Sequence, residues 1–588
     1  MKHKILLILF LFIPTLFFAQ KRKHQPKKKT PIIMLAGVVS LREKFPDYIF
    51  ANDSLMVTFL HEGSKMTCDS AKFNQKEQFF EAFGHVKVNM GDTVFMNSDY
   101  MNYSGKTRLS ESRGNVMLKN KRMTLTTQKL MYDRNTSQAW YDDWGTVKDE
   151  DNTMVSKQGR YFANEYRAEF TQDVTVATNV NNKKGKGNYV VKSNHLNYYS
   201  KTKDVEVLGP TTITNNDNPE DTFYTERGMY NTSTMISTST QKGKISYNGN
   251  HLVGDRLFYN QKIGYGNAEG NVVVTRPKDE MVMRGGQAEY YRSTVPGVAY
   301  DSVYVTKRAW VSKKQDNDSV YFHAKRITGV NHIDKTYTIV GYDKARMYHK
   351  DGQARADSLI YHDKSGILEL YKDPVLWYGN SQITGDTILV YSKKQKIDSA
   401  VVKLNALALQ KVDSITIKDF NQIKGRFMYA TFRDKGNNID FVHVEGNAQS
   451  LFYADENKKG QPTNRIGINR SDCAFINALI ENKKLNEVSC MGGTKSILSP
   501  EDMMEEDEKY LKGFLWRDKE RFVDKKAFLE FIRREEVYPT ISPPTQPIKI
   551  NQPTVVPAQE DEPKGRTDVG KEEETPLETE EVKPEPTP

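Results

Sequence analysis

Cysteine is nearly absent: Cys68, Cys473 and Cys490 are the 3 in 588 residues. So few exclude a disulfide-dense scaffold, and none has the spacing of a zinc ligand set. Histidine is also sparse, with 11 scattered residues. His85, His195, His323 and His332 read as solvated side chains on strands rather than as general bases. No Gly-x-Ser-x-Gly elbow, His-Glu-x-x-His helix, phosphate loop or EF-hand loop is present. Carboxylates such as Asp142-Asp143 fall where turns want them. These absences argue against an enzyme and against a resident cofactor or metal. Apart from the first twenty residues there is no long apolar run, and the mean hydropathy is -0.68. A membrane-spanning helix is therefore not expected in the body of the chain.

The start is different. Met1-Lys2-His3-Lys4 precedes an apolar stretch from Ile5 to Phe18 that closes on Ala19-Gln20. A basic start, a short apolar core and a small residue before a polar one make a secretory signal peptide over 1–19. The basic segment 20–31 follows. Lys+Arg of 85 against Asp+Glu of 75 leaves +10, a mild excess that this segment partly explains. Export makes nucleic acid an unexpected partner and permits a bridge between Cys473 and Cys490, which flank a turn at Glu481-Asn482-Lys483.

What the chain has in abundance is repetition. A small or polar residue opens a short strand that ends in an aromatic: Ser98 to Tyr103, Thr127 to Tyr132, Gly254 to Tyr259, Gly286 to Tyr291, Ala356 to Tyr361 and Asp386 to Tyr391. A second pattern follows most copies. It is Gly, one residue, then a β-branched residue, as in Gly84-His85-Val86, Gly114-Asn115-Val116, Gly145-Thr146-Val147 and Gly270-Asn271-Val272, with a weaker copy at Gly446-Asn447-Ala448. The period is roughly 30 residues and about a dozen copies run from near 60 to near 500, as in repeat architectures. After Gly84, apolar Val86, Val88 and Met90 alternate with polar residues, which is the period of a strand wet on one face. The repeated Gly marks either a β-bulge or a close approach of backbones.

Near Pro500 the character changes. Phe514, Leu515, Phe522, Phe528, Leu529 and Ile532 allow an apolar helical face, so 501–538 is expected to be a helical cap over the end of the array, or else a docking helix. Residues 539–588 are rich in Pro, Glu and Thr and are expected to be a disordered tail.

The stretch from Pro31 to about Val180 resembles the OstA-like (organic-solvent-tolerance, lipopolysaccharide-transport) family. The likeness is carried by Asp69 to Phe73 followed by Ala82-Phe83-Gly84-His85-Val86, and by Ser98 to Tyr103 followed by Gly114-Asn115-Val116. Weaker copies extend it to about residue 500. The resemblance implies an all-β fold: an elongated antiparallel repeat forming an open, V-shaped β-jelly roll, with an OstA-like N-terminal domain over 32–180 and further repeats over 181–500. It implies a periplasmic carrier, associated with the cell envelope and outer membrane, that shields the acyl chains of lipopolysaccharide or a related glycolipid in an apolar groove. The implied partners are other lipopolysaccharide-transport components of the inner and outer membrane, together with end-to-end self-association. The Glu- and Pro-rich end lacks a closing amphipathic strand, which argues against an outer-membrane barrel. Groove-lining candidates are Val86, Val88, Val116, Leu118, Leu125, Leu130 and Val147, with Phe83 and Trp140 as rim aromatics. The rival reading is a structural or adhesive β-solenoid of the cell envelope whose apolar face is a closed core without lipid.

Overall fold

The computed structural model describes residues 30–535, except for short stretches at 92–93, 179–188, 293–300, 316–317, 335, 394–395, 413–417, 434–437, 457–463 and 482–483. The expected signal peptide and C-terminal tail, and the turn at 482–483, lie outside the described residues. The body is an antiparallel repeat, as the sequence implies, in which each strand pairs with its neighbours in chain order.

Every long strand serves two sheets. In Ser64–Asn74 the first half pairs with Val86 to Met90 and the second half with Phe79 to Phe83, and the register shifts between them. The same break recurs in the next pairs at Phe83/Val86, Asn97/Tyr100 and Arg113/Val116. Further along, some passages are split into separate short strands. Thr124–Asp133 pairs with Gln138–Tyr141 through one half and with Gly145–Lys148 through the other. The breaks align into a crease from which two sheets diverge, a V-shaped jelly roll. We call the sheet containing Val86 to Met90 sheet I and the sheet containing Phe79 to Phe83 sheet II. Each hairpin adds two strands to both.

The two sequence patterns are the two ways a strand crosses the crease. In Val94–Ser104 the inward residues are Met96 and Ser98, then Met101 and Tyr103, so two residues separate them at the crease. In Leu109–Lys119 the inward residues are Ser112 and then Val116, with three residues between. The extra residue is a β-bulge, which bends its strand. Gly114 and Asn115 take it in the left-handed region, at φ 73° and 45°. The same pair of positive φ values recurs at Gly84-His85, Gly270-Asn271 and Gly446-Asn447. A side chain added at Gly114 would meet the Asp99 carboxylate at 2.5 Å. That carboxylate instead accepts from Asn115 Nδ2 at 2.7 Å, and Asp255 accepts from Asn271 Nδ2 at 2.9 Å. His85 occupies the Asn position in its copy and sits 2.8 Å from Asp69. The pattern therefore pairs a small residue followed by Asp on one strand with Gly-Asn on the next. Gly145 departs from it: the left-handed residue is Trp144 before it, at φ 47°, and its own close neighbour is the ring of Tyr141.

The inward faces pack as one continuous core along the V. Sheets I and II touch through pairs such as Phe59 stacked on Phe80 at 4.3 Å and Phe322 on Tyr361 at 5.9 Å. Cys473 and Cys490 are bridged, with Cα atoms 5.8 Å apart, and Cys68 is a buried free thiol.

The C-terminal segment corrects the expectation of a helical cap. It does not cross the end of the array but runs back along the outer face of sheet I as a strap, and only Lys525–Arg534 (α1) is α-helical. Three buried glutamines on alternate strands of sheet I hold it. Gln422 donates to Lys509 O and accepts from Leu511 N, at 2.7 and 2.8 Å. Gln382 donates to Leu515 O and accepts from Arg517 N, at the same distances. Gln353 does so with the two backbone groups of Phe522. Two strands are about 10 Å apart, and the strap spends about six residues on each such step. A helix through this stretch would use these peptide groups internally and leave the buried amides unpaired. Between the anchors Leu511 packs on Leu451 and Tyr453, Phe514 and Trp516 on Phe420, and α1 sets Phe528 against Tyr321 and Tyr348. His323, expected to be solvated, lies beneath α1 at 1% exposure, with Nδ1 2.7 Å from Ala309 O and its ring edge-on to Phe531.

Three outcomes follow from this architecture. Gly114→Ala forces a left-handed non-glycine residue against Asp99, at a cost of about 1–3 kcal/mol, read as a lower urea midpoint for the repeats around it. Gln382→Ala leaves two strap peptide groups without partners, which costs about 1–3 kcal/mol each where they stay buried. Hydrogen exchange at Leu511 to Arg517 should accelerate while the repeats before Trp310 keep their protection. Burial pulls His323 down to about 4 from an ordinary value of 6.5. Since the folded value is depressed, its contribution is complete above pH 6.5 and is lost as pH falls toward 4, by about 3 kcal/mol in all. Strap exchange should therefore accelerate over that window, and His323→Leu should flatten the dependence.

Candidate functional site

Alternation fixes which side chains enter the V. Val86, Val116 and Leu130 lie next to the crease at 1% exposure and are packed on all sides. Val88, Leu118, Leu125 and Val147 point the same way but lie farther out, where the sheets diverge, at 4–8% exposure. Leu118, Leu125 and Val147 share the floor of a cavity of about 410 Å3 with Met123, Ala139 and Phe170. Val88 borders a smaller one of about 50 Å3. Of the sequence candidates, these four border open space and three converge on one cavity.

Phe83 and Trp140 are not at the rim. Phe83 is 40% exposed on the outer face of sheet II, against Tyr100 at 5.4 Å. Trp140 lies on the same outer face beneath Arg160, 5.9 Å from its ring. Both follow inward Ala82 and Ala139 by one residue, so strand alternation turns them outward.

A second and larger cavity, about 570 Å3, was not singled out from sequence. Its floor is Ile383, Ala408, Ile423, Ile439, Val442 and Phe452, from both sheets near the C-terminal end of the array. The alternation of buried residues in Phe420–Arg433 and Asn438–Glu456 was the available signal. Both volumes fall in the ~300–1,000 Å3 range of small-molecule sites, with apolar floors as such sites have.

Elsewhere side chains close the mouth. Near the N-terminal end Arg134 donates to the carbonyls of His61 and Glu62 at 3.1 and 2.6 Å, while His61 Nδ1 lies 3.0 Å from the Tyr103 hydroxyl. Burial lowers the His61 pKa and raises that of Tyr103. Midway, Tyr247 of sheet I meets Tyr290 of sheet II at 6.3 Å, with Arg292 over the Tyr247 ring at 5.2 Å. Burial pushes the Tyr290 phenol well up and raises the Asp301 carboxyl beside it. Lys313 spans to Asp363 at 3.1 Å and lies over the rings of Tyr337 and Tyr361. The arrangement is thus an apolar groove, latched at three places along its mouth, with its two larger cavities open elsewhere. Among the described residues no group of three or more His, Cys, Asp or Glu is placed to hold a metal ion.

Comparison with known families places the same stretches. Residues 46–184 match the model of OstA-like protein, and residues 254–396 match that of the LptA/(LptD N-terminal domain) LPS transport protein. Each of the two stretches is similar to the family whose model it matches. The first match contains the crease motifs at Gly84 and Gly114 and the whole floor of the cavity of about 410 Å3; the second contains Tyr290, Arg292 and the Lys313–Asp363 pair of the midway latch, but not Tyr247. Comparison with curated proteins gave no match. Among solved structures, LptH, described as the LptA homologous periplasmic component of the lipopolysaccharide transport device of Pseudomonas aeruginosa, is similar at 17% identity. The similarity covers 21% of this chain and 82% of that one with a TM-score of 0.18, too low for the superposition to bear on the fold.

Proposed function

We propose that this chain is a periplasmic carrier that shields the acyl chains of lipopolysaccharide or a related glycolipid in the groove of its OstA-like V, during transport to the outer membrane. The observation that carries the reading is the cavity floored by Leu118, Leu125 and Val147, inside the OstA-like match and open at the mouth. Each methylene exposed to water costs about 0.8 kcal/mol, so one acyl chain of a dozen carbons costs on the order of 10 kcal/mol to carry bare. A groove that covers the chain removes most of that cost without a chemical step, and no catalysis is part of this function.

Self-association end to end is part of the proposal. At the N-terminal end Ile33–Leu35 and Val38–Arg42 each pair on one side only among the described residues, with Val38 64% and Leu41 73% exposed. At the other end Lys484–Met491 and Lys495–Ser499 are likewise paired on one side, with Ile497 and Leu498 half exposed. Unpaired apolar edges of this kind are templates for another strand. The partners are other lipopolysaccharide-transport components in the two membranes.

The test is photo-crosslinking in cells that make lipopolysaccharide, with a photoreactive residue at Leu125, inside the cavity, or at Trp140, on the outer face. A lipid adduct at Leu125 and none at Trp140 is expected. Equal labelling, or no adduct at either site in folded protein, returns the chain to a structural role with a closed core.

A further inference from the structure

The two larger cavities share a feature at their mouths. At the mouth of the smaller one stand Lys121 and Arg122, both exposed, in the turn between Leu109–Lys119 and Thr124–Asp133. Arg122 lies over the Tyr166 ring at 5.3 Å, and among the described residues neither cation has a carboxylate within ion-pair distance. The residues around this cavity include no Asp or Glu.

The larger cavity repeats the arrangement with unrelated sequence. Its mouth carries Lys350 and Arg521, again without an ion pair among the described residues, and one carboxylate, Asp351, which lies 3.6 Å from His349. Arg521 belongs to the strap. It crosses from the outer face of sheet I to the mouth and donates to Gly379 O at 2.7 Å. Its position is set on either side by the glutamine anchors at Arg517 and Phe522. The midway latch differs: there Lys313 is neutralised by Asp363 and Arg276 by Asp279. Cations without an ion pair thus stand at both open mouths, whereas at the midway latch Lys313 and Arg276 are neutralised and Arg292 is taken up by the Gln261 carbonyl and the Tyr247 ring.

We propose that each cavity seats an amphiphile whose apolar chain lies on the groove floor and whose anionic headgroup is held at the mouth, by Lys121 and Arg122 in the first seat and by Lys350 and Arg521 in the second. The inference rests on the carrier function and adds the charge of the headgroup, two discrete seats and a part for the strap in the second. A cation beside an apolar wall holds an anion more strongly than the same cation in open solvent, because the wall excludes water from one side.

The experiment is native mass spectrometry of the full-length protein with dodecyl phosphate, and with dodecyl maltoside as an uncharged probe of equal chain length. Two dodecyl phosphates are expected per chain. Lys121→Gln with Arg122→Gln should remove one, Lys350→Gln with Arg521→Gln the other, each with about a tenfold loss of affinity at its seat, equivalent to one charge-assisted contact. Dodecyl maltoside binding should not change, and only dodecyl phosphate should weaken as salt rises. Arg521→Lys keeps the charge and should restore the second seat, which separates loss of charge from loss of the strap. If both probes bind equally and the substitutions change neither, the headgroup proposal is wrong while the carrier function stands. If folded protein binds neither probe, the carrier function itself fails.

Discussion

The bend at the crease is the constraint on which the rest of this molecule depends. Two consecutive left-handed residues are costly for any L-residue but glycine, roughly 1–2 kcal/mol each. The chain pays that cost repeatedly, at Gly114-Asn115 and its equivalents and also at Leu404-Asn405, where no glycine is present. Asp386 offsets it there by accepting from Asn405 Nδ2 at 3.0 Å, as Asp99 does for Asn115. Once the bend exists, much else is dictated. The inward position just before the aspartate is small in these copies, as at Ser98, Gly254 and Ala356, and the first inward position beyond the bulge is a medium-sized apolar residue such as Val86 or Val116. Inward positions two turns of alternation away must be large enough to reach across a widening gap, hence the tyrosines and phenylalanines at strand ends.

The strap solves a different problem with the same material. A sheet covered on its inner face by the groove still presents apolar residues outward near its C-terminal end: Leu407, Leu409, Leu451 and Tyr453. Covering them with a helix would need an apolar stripe spaced by the helical repeat. A segment in irregular backbone can instead match strand spacing, provided that its peptide groups find partners, and the buried glutamines supply these two at a time. The amide of glutamine carries both a donor and an acceptor, so one side chain completes both unpaired groups of a passing peptide. This is why the same residue type recurs at 353, 382 and 422.

Much of this was legible in the sequence because the repeat states the constraint directly. A small residue with Asp, then Gly with Asn, is the crease written out, and alternation from Gly84 and Gly114 turns Val88 and Leu118 inward, where they are buried. What the sequence does not disclose lies in distant contacts or in residue type alone. Residue type suggests rim positions for Phe83 and Trp140, whereas alternation from Ala82 and Ala139 turns them outward. Apolar spacing in 514–532 is compatible with a helix, and nothing local reveals that Gln353, Gln382 and Gln422 wait on strands more than a hundred residues away in some cases. The same holds for His323: the element that buries it, α1, is distant in sequence.

Movement along the groove can be judged from magnitudes. Between the two cavities a passing chain meets Tyr247 with Tyr290, and Lys313 against Tyr337 and Tyr361. Each aromatic or cation–π contact of this kind is worth about 0.5–1.5 kcal/mol. Opening several in succession costs a few kcal/mol, against on the order of 10 for leaving the groove with a bare acyl chain. On the proposed carrier function, a lipid seated at one cavity would therefore step through the latches more readily than escape between them. Neither the latches nor the floor favours one direction. A net flow has to come from supply at one end and removal at the other, which is what unpaired strand edges at both ends of the array allow neighbouring molecules to provide.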